Sequence, residues 1–331
     1  MPRRYLLCSI VFVGVVFAMS FDTTDARSAA PLYPITIVVP FPPGGSTDIV
    51  ARVLADHIIS SLGTTVVVEN VSGAGGSIGL ARVARAASDD RRTWLVVSNW
   101  TSHIGSPVLY PVQFDISTDF QPVARLTSVP LMMIGSPKMP AQDLKAVISW
   151  LKQHADTATA ATVGIGSASQ LCTIDFQNRT QTNFKLVPYR GNAPAVQDIV
   201  GSQVDIMCGE ASGMLPHVRA GTAKAYAVMA EKRWFAAPDI PTAGEAGVPG
   251  LGISFWHGMW AAKTTPAETL ERIGQAVAEA FADPAVTQRL FAAGHEIPAV
   301  DQRGAAALDE LFRSEADKWW PIIKAANIQV Q

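Results

Sequence analysis

Residues 38–54, VVPFPPGGSTDIVARVL, constrain this chain most. A β-branched run, Ile35–Val39, leads into Pro40-Phe41-Pro42-Pro43 and then Gly44-Gly45. The prolines end the strand and stiffen the turn, because each fixes φ and removes an N–H. The glycines let backbone approach another molecule with no side chain between them. Ser46, Thr47 or Asp48 can cap the helix that follows, and Ile49, Val53, Leu54, Ile58 and Leu62 give it one apolar face. The product is a strand–turn–helix unit whose helix N-terminus opens into free space, a ready site for an anion.

The rest of the chain repeats this grammar. Further strands are expected at Thr65–Glu69, Thr93–Val97, Thr159–Ile165, Phe184–Val187, Val204–Met207 and Lys224–Val228. Helices are expected at Thr47–Ser61, Ile78–Ala87, Ala141–His154, Ser169–Thr180, Pro194–Val200 and Gly213–Ala220. Such alternation predicts an α/β protein with parallel sheets and helices on both faces. The C-terminal region reads as helices only, at Pro266–Phe281, Pro284–Ala293 and Gln302–Ala326. Two apolar β-rich stretches, Leu131–Gly135 and Phe255–Ala262, are candidates to carry the chain between two domains.

The N-terminus has the form of a secretory signal: Arg3 and Arg4, an apolar run from Leu6 to Ala18, then small residues. Ala18-Met19-Ser20 and Ala26-Arg27-Ser28 both fit a cleavage site, so the cut is expected between residues 20 and 30, with 1–28 as the working signal segment. The apolar run falls short of the roughly 20 residues that span a membrane. Residues 29–331 suffice for two ordinary α/β domains. The formal net charge of −2 and the lack of a basic stripe argue against a nucleic-acid partner. An anionic ligand would be held by local dipoles and a few side chains. Two cysteines remain after processing, Cys172 and Cys208; in an oxidising compartment they are either bridged or two small buried hydrophobes.

Three segments are candidates for the site. In the first, backbone amides around Gly44, Gly45, Ser46 and Thr47, with the two hydroxyls, would grip a carboxylate beside Phe41 and Pro43. Asp48 would brace this loop, since like charges repel. The second, Gly164-Ile165-Gly166-Ser167-Ala168-Ser169-Gln170, again ends a strand, opens a turn with glycine and starts a helix. Two helix N-termini facing each other across a cleft would suit a ligand with two carboxylates. The third is Ser98–His103, where Asn99 and Ser102 offer hydrogen bonds and Trp100 is either a wall of the site or core. Arg190, after another strand, either pairs with a ligand carboxylate or is an exposed structural residue.

The sequence resembles the periplasmic solute-binding proteins of tripartite tricarboxylate transporters. The resemblance is carried by the strand–PGG–(S/T)D–helix opening and by Val66–Gly79, Val187–Met207, Leu215–Gly221, Pro238–Gly250 and Phe281–Val286. It implies a type II periplasmic-binding-protein fold: two α/β lobes joined by two crossover strands, with the ligand cleft between them. Residues 31–130 with 254–331 would form a discontinuous first domain, and 131–253 the second. It further implies a monomeric periplasmic receptor that captures a small carboxylate and delivers it to membrane permease subunits, with no cofactor. A sensory role, presenting to a membrane receptor kinase, is the alternative. The family pattern often places histidine where Gln170 stands, and a Thr-His pair where Ser102-His103 stands. It commonly has a cleft-facing aspartate at the position of Gly209; here either Glu210 takes over that role or the pocket has lost a carboxylate.

Enzyme readings find little support. Gly73–Gly79 lacks the last glycine of a dinucleotide loop, and the phosphate-binding and G-x-S-x-G patterns are absent. The six histidines show no metal-ligand spacing. A hydrolase would need a base within reach of Ser46, Ser102 or Ser167, and His103 is the nearby candidate in sequence.

Overall fold

The computed structural model describes residues 32–86, 91–253 and 255–325. The signal segment and its cleavage site lie outside these residues. The first half runs β1 (Ile35–Val39), α1 (Ser46–Leu62), β2 (Val66–Asn70), α2 (Ser77–Ala84), β3 (Thr93–Asn99), α3 (Ser106–Leu109), β4 (Phe120–Val129) and β5 (Leu131–Gly135). Then follow α4 (Leu144–Gln153), β6 (Thr159–Thr162), α5 (Ala168–Thr180), β7 (Lys185–Pro188), α6 (Asn192–Val200), β8 (Ile206–Glu210), α7 (Ala211–Arg219) and β9 (Lys224–Met229). The chain closes with β10 (Phe255–Ala262), α8 (Ala267–Ala280), α9 (Pro284–Ala292) and α10 (Ala305–Ala325).

These elements build two lobes around two five-stranded sheets, in the orders β2-β1-β3-β10-β4 and β7-β6-β8-β5-β9. The expected parallel pairing holds for β1 with β2 and β3, and for β6 with β7 and β8. The sheets are nonetheless mixed. β10 runs antiparallel to β3 and β4, and β5 antiparallel to β8 and β9. The two stretches expected to cross between lobes are thus themselves sheet strands. The crossings lie beside them, at Val129-Pro130-Leu131 and along the segment from Met229 to Phe255. Pro130 has no N–H to offer either sheet, which suits a residue at which the chain leaves one sheet for the other. Its carbonyl accepts from the Ala211 N–H at 3.0 Å.

Expected strand and helix positions agree with the observed ones to within a few residues, with two omissions. β4 is absent from the expectation because Pro122 and Arg125 interrupt its apolar pattern. It tolerates Pro122 because it is an edge strand. The segment after β3 is expected as a loop, yet Thr101–Gly105 forms a wide π-turn that runs into α3. Apolar residues of β1, β3, β10, α1, α8 and α9 form one buried cluster, and α10 covers the other side of β4. Cys172 on α5 and Cys208 on β8 are joined by a disulfide within the second lobe.

Candidate functional site

The turn after β1 is held open from within. Gly44 takes a left-handed φ of +79°, and its N–H donates to Asp48 Oδ2 at 2.9 Å. Arg52 Nε and Asn70 Nδ2 also donate to the Asp48 carboxylate, each at 2.9 Å, and Asn70 Nδ2 donates to the Phe41 carbonyl at 3.0 Å. Burial works to raise the Asp48 pKa, but the bonds from Arg52, Gly44 and Asn70 outweigh it and hold the carboxylate below its ordinary value. Asp48 therefore braces the loop, as expected. The Gly44 amide is engaged in that brace and is not open to a ligand. Gly45 stands at the N-cap of α1 without any side-chain cap, so the first-turn amides of Ser46 and Thr47 have no carbonyl one turn back.

Sheet register places the support for these two residues. Asn99, His257 and Thr127 lie side by side across β3, β10 and β4. Asn99 Nδ2 donates to Thr47 Oγ1 at 2.9 Å, and His257 Nε2 lies 3.2 Å from Ser46 Oγ. Each hydroxyl at the head of α1 is thus positioned by one member of the row. Ser102 stands one layer behind: its hydroxyl donates to the Asn99 carbonyl at 3.1 Å, and its own N–H donates to Asn99 Oδ1 at 3.4 Å.

From the second lobe, the helix that meets α1 is α6 and not α5. Phe41, Pro42, Gly45, Ser46, Thr47 and Asn99 enclose a cavity with Val163, Gly191, Asn192, Ala193 and Glu210. Gly191 caps α6 with no side-chain bond, so a second uncapped helix N-terminus opens here. The expected second loop does not reach this cavity. Its groups are engaged locally: the Gly166 N–H donates to Gln170 Oε1 at 2.7 Å, and Ser167 caps α5 by accepting from the Gln170 N–H at 3.1 Å. Ser169 Oγ donates to the Cys208 carbonyl, and the Ala168 N–H crosses to Thr101 Oγ1 of the first lobe at 3.3 Å. This loop serves as a lobe–lobe contact. The helix at Pro194–Val200 is expected from the sequence, and the strand–glycine–helix pattern of Lys185–Val200 is the signal that points to Gly191 and Asn192 at its head. Arg190 itself is exposed and does not line the cavity.

Trp100 is core. It is fully buried, its Nε1 donates to Glu315 Oε2 at 2.6 Å, and it meets Trp319 edge-on with ring centroids 5.4 Å apart. The π-turn after it rotates the indole away from the cleft and toward α10. His103 is likewise packed away, stacked on Trp260 at 3.6 Å and bonded through Nδ1 to Ser98 Oγ at 2.9 Å. The base within reach of a cleft serine is instead His257, 211 residues from Ser46.

Glu210 lines the cavity at the N-cap of α7, and burial pushes its carboxyl up to about 8. At neutral pH it is therefore largely a neutral acid and a hydrogen-bond donor. The space beside Gly209 is filled by side-chain ends: a Cβ there would stand 2.7 Å from Asn192 Oδ1 and 2.6 Å from Met214 Cε, and a residue with a side chain would require these flexible groups to turn aside. Asn192 Oδ1 lies in that space, and Glu210 is an acid that lines the cavity.

The lobes are drawn together. A Cβ on Gly191 would lie 2.6 Å from Pro42 Cδ, and one on Gly105 would lie 1.8 Å from the Gly166 carbonyl oxygen. The space left in the cavity holds about one water molecule, so a dicarboxylic acid enters only if the lobes part. A larger groove runs along the two interlobe passages, lined by Ser128, Pro130, Met229, Trp234 and Ile253 among others, but no helix N-terminus opens into it. Among the described residues, no group of three or more His, Cys, Asp or Glu is placed to hold a metal ion. Among the same residues, no helix is long and apolar enough to cross a membrane.

Comparison with known proteins agrees with this architecture. MatC from Rhodopseudomonas palustris, solved with bound malate, is 34% identical, with a TM-score of 0.82 over 88% of this chain and 99% of its own. The periplasmic binding protein BugD is 35% identical, with a TM-score of 0.83 over 90% and 99%. A further R. palustris protein, solved with adipate, is 28% identical, with a TM-score of 0.84 over 91% and 99%. The family described as the tripartite tricarboxylate transporter family receptor matches residues 50–328. The two sheets, the cleft between them and this match over most of the sequence lead to one conclusion: the chain belongs to the tripartite tricarboxylate transporter receptor family.

Proposed function

We propose that this protein is a periplasmic receptor for a small carboxylate-bearing molecule, which it hands to the permease subunits of a tripartite tricarboxylate transporter. The observation that carries this reading is the convergence of two uncapped helix N-termini, those of α1 and α6, on one cavity. Each terminus contributes roughly 0.3–2 kcal/mol toward a carboxylate. Ser46, Thr47, Asn99, Asn192 and the protonated Glu210 supply the remaining polar contacts. A micromolar dissociation constant corresponds to about 8 kcal/mol, so lobe closure must add to these bonds. The malate and adipate held by relatives fit the same chemistry, two carboxylates at the ends of a short chain.

The lobes of this receptor are residues 31–130 with 254–331, and residues 131–253. Closure is a rotation about the passages at Pro130 and between Met229 and Phe255, and the ligand stabilises the closed form by bridging the lobes. The protein works as a monomer and carries out no covalent chemistry. Behind His257 stand the Thr127 hydroxyl and carbonyl in place of a carboxylate, and burial holds its pKa well below the ordinary value. An imidazolium formed by taking the Ser46 proton would thus be poorly stabilised. The test is a thermal-shift and calorimetric screen of the mature protein against malate, succinate, adipate, citrate and the matching amides and amines. Hits confined to carboxylates, lost in Gly45→Glu, support the reading; binding of the amides alone, or no loss in Gly45→Glu, overturns it.

A further inference from the structure

Behind Ser46 runs a chain of hydrogen bonds that the binding of a carboxylate does not by itself require. His257 Nε2 lies 3.2 Å from Ser46 Oγ, and His257 Nδ1 lies 3.2 Å from Thr127 Oγ1. Thr127 Oγ1 in turn lies 3.1 Å from His295 Nδ1. All four side chains are buried, and the chain ends at His295 Nε2, which has no hydrogen-bond partner among the described residues.

The chemistry of these groups fixes the direction of the bonds. The Thr127 hydroxyl has one proton and faces two Nδ1 atoms, so it donates to one imidazole and accepts from the other. Both histidines are neutral, since burial holds His295 at about 3 and His257 well below its ordinary value. One of them therefore carries its proton on Nδ1 and the other on Nε2. The free end decides which. A proton on His295 Nε2 would be a buried N–H without an acceptor, a rarer and costlier orphan than a bare lone pair. His295 is then the Nδ1–H tautomer and donates to Thr127. Thr127 donates to His257 Nδ1, and His257 donates from Nε2–H to Ser46. The Thr127 carbonyl favours a proton on the His257 ring and works in the opposite sense. A proton on His257 Nδ1, however, would turn the Thr127 hydroxyl toward His295 and leave the unpaired N–H at the far end.

We propose that His295, Thr127 and His257 are positioning residues that commit the Ser46 hydroxyl as a donor into the cleft. With its oxygen already accepting from His257, Ser46 has its proton to offer and takes an acceptor atom from the ligand. A carboxylate oxygen takes that proton directly, whereas an ammonium or amide N–H finds only the one lone pair that His257 leaves on Ser46 Oγ. The direction of the chain belongs to the ligand-free protein; only its consequence for selectivity rests on the carboxylate reading of the cleft.

The test is long-range ¹H–¹⁵N correlation of the histidine rings in the ligand-free, ¹⁵N-labelled mature protein. The expected result is His257 protonated on Nε2 and His295 protonated on Nδ1. The reverse assignment, or a charged ring at either position, overturns the proposal. Because this arm uses no ligand, its failure is distinct from a failure of the carboxylate reading. A second arm titrates malate into folded variants. His257→Gln keeps an N–H toward Ser46 and should stay within about threefold of wild type, whereas His257→Leu should weaken binding about tenfold or more. Equal losses in both variants at matched melting temperature would reduce His257 to a packing role and refute the proposal.

Discussion

Gly105→Ala separates closure from folding. Gly105 has φ −75° and ψ −56°, an ordinary helical conformation that alanine adopts without strain. In the closed lobes, however, its new Cβ would stand 1.8 Å from the Gly166 carbonyl oxygen and 3.0 Å from the carbon. Real Cβ atoms do not approach backbone closer than about 3.0 Å, so the two segments must part by about 1.2 Å. The Thr101–Ala168 hydrogen bond, now 3.3 Å, would stretch past its useful range. Its loss removes about 1 kcal/mol from the closed form, and the looser fit at the cavity adds to that. We expect the dissociation constant of a bound carboxylate to rise about tenfold, equivalent to about 1.4 kcal/mol. The ligand-free melting temperature should fall by no more than about 2 °C. Calorimetry reads the first quantity, and small-angle scattering with saturating ligand should show a less compact particle than wild type. Unchanged affinity with unchanged compaction would refute the claim that Gly105 and Gly166 meet in the liganded state.

Other expectations follow from the cleft and the second lobe. Burial raises the Glu210 pKa from 4.5 to about 8, so the folded protein holds a proton that the unfolded chain releases. Stability should therefore fall as pH rises from about 4.5 to 8. Glu210→Gln should flatten that slope in melting curves, and an unaltered slope would show that Glu210 is ionised in the fold. Affinity for an anion should also weaken above about pH 8 in wild type, but not in Glu210→Gln. The Cys172–Cys208 disulfide closes a separation of 36 residues, worth about 4 kcal/mol of chain entropy. Its removal in Cys172→Ser with Cys208→Ser should lower the melting temperature by roughly 5–7 °C for a chain of this size. A shift below 1 °C would mean that the pair contributes nothing to the fold. Finally, a fluorophosphonate should leave Ser46 unlabelled by mass spectrometry, and an adduct there would reinstate the hydrolase reading.

Sequence periodicity resolved most of the framework because the strands are short, β-branched and punctuated by glycine and proline. β1 is legible at both ends, since Pro34 and Pro40 bracket it. β4 was not, because edge strands tolerate the breaks that a pattern search takes as disqualifying. Of the candidates that local chemistry offers, the head of α1, Asn99 and Glu210 line the cavity. Helix-start signals alone could not say which of two second-lobe termini faces α1: α5 and α6 both follow a strand and a glycine. The outcome depends on the order of the second sheet, where α5 follows β6 and α6 follows the edge strand β7. Trp100 depended on a π-turn with no compositional signature. His257 was invisible for a simpler reason. Its partners, Ser46 and Thr127, come from distant parts of the chain, and only strand register sets His257 beside Thr127 and Asn99 at the head of α1.

The order of strands in the first sheet has a kinetic consequence. β10 sits between β3 and β4, although it is made long after both. As the chain emerges from its N-terminus, β3 and β4 wait with a gap between them for a strand that begins 126 residues downstream of β4's end. The second sheet needs nothing outside residues 131–229 and can close while the first is still incomplete. Until Phe255–Ala262 arrives, the nascent protein exposes two apolar strand edges, the condition in which chains pair with one another. A chaperone would have its work during that interval, and variants that slow the second lobe would lengthen it.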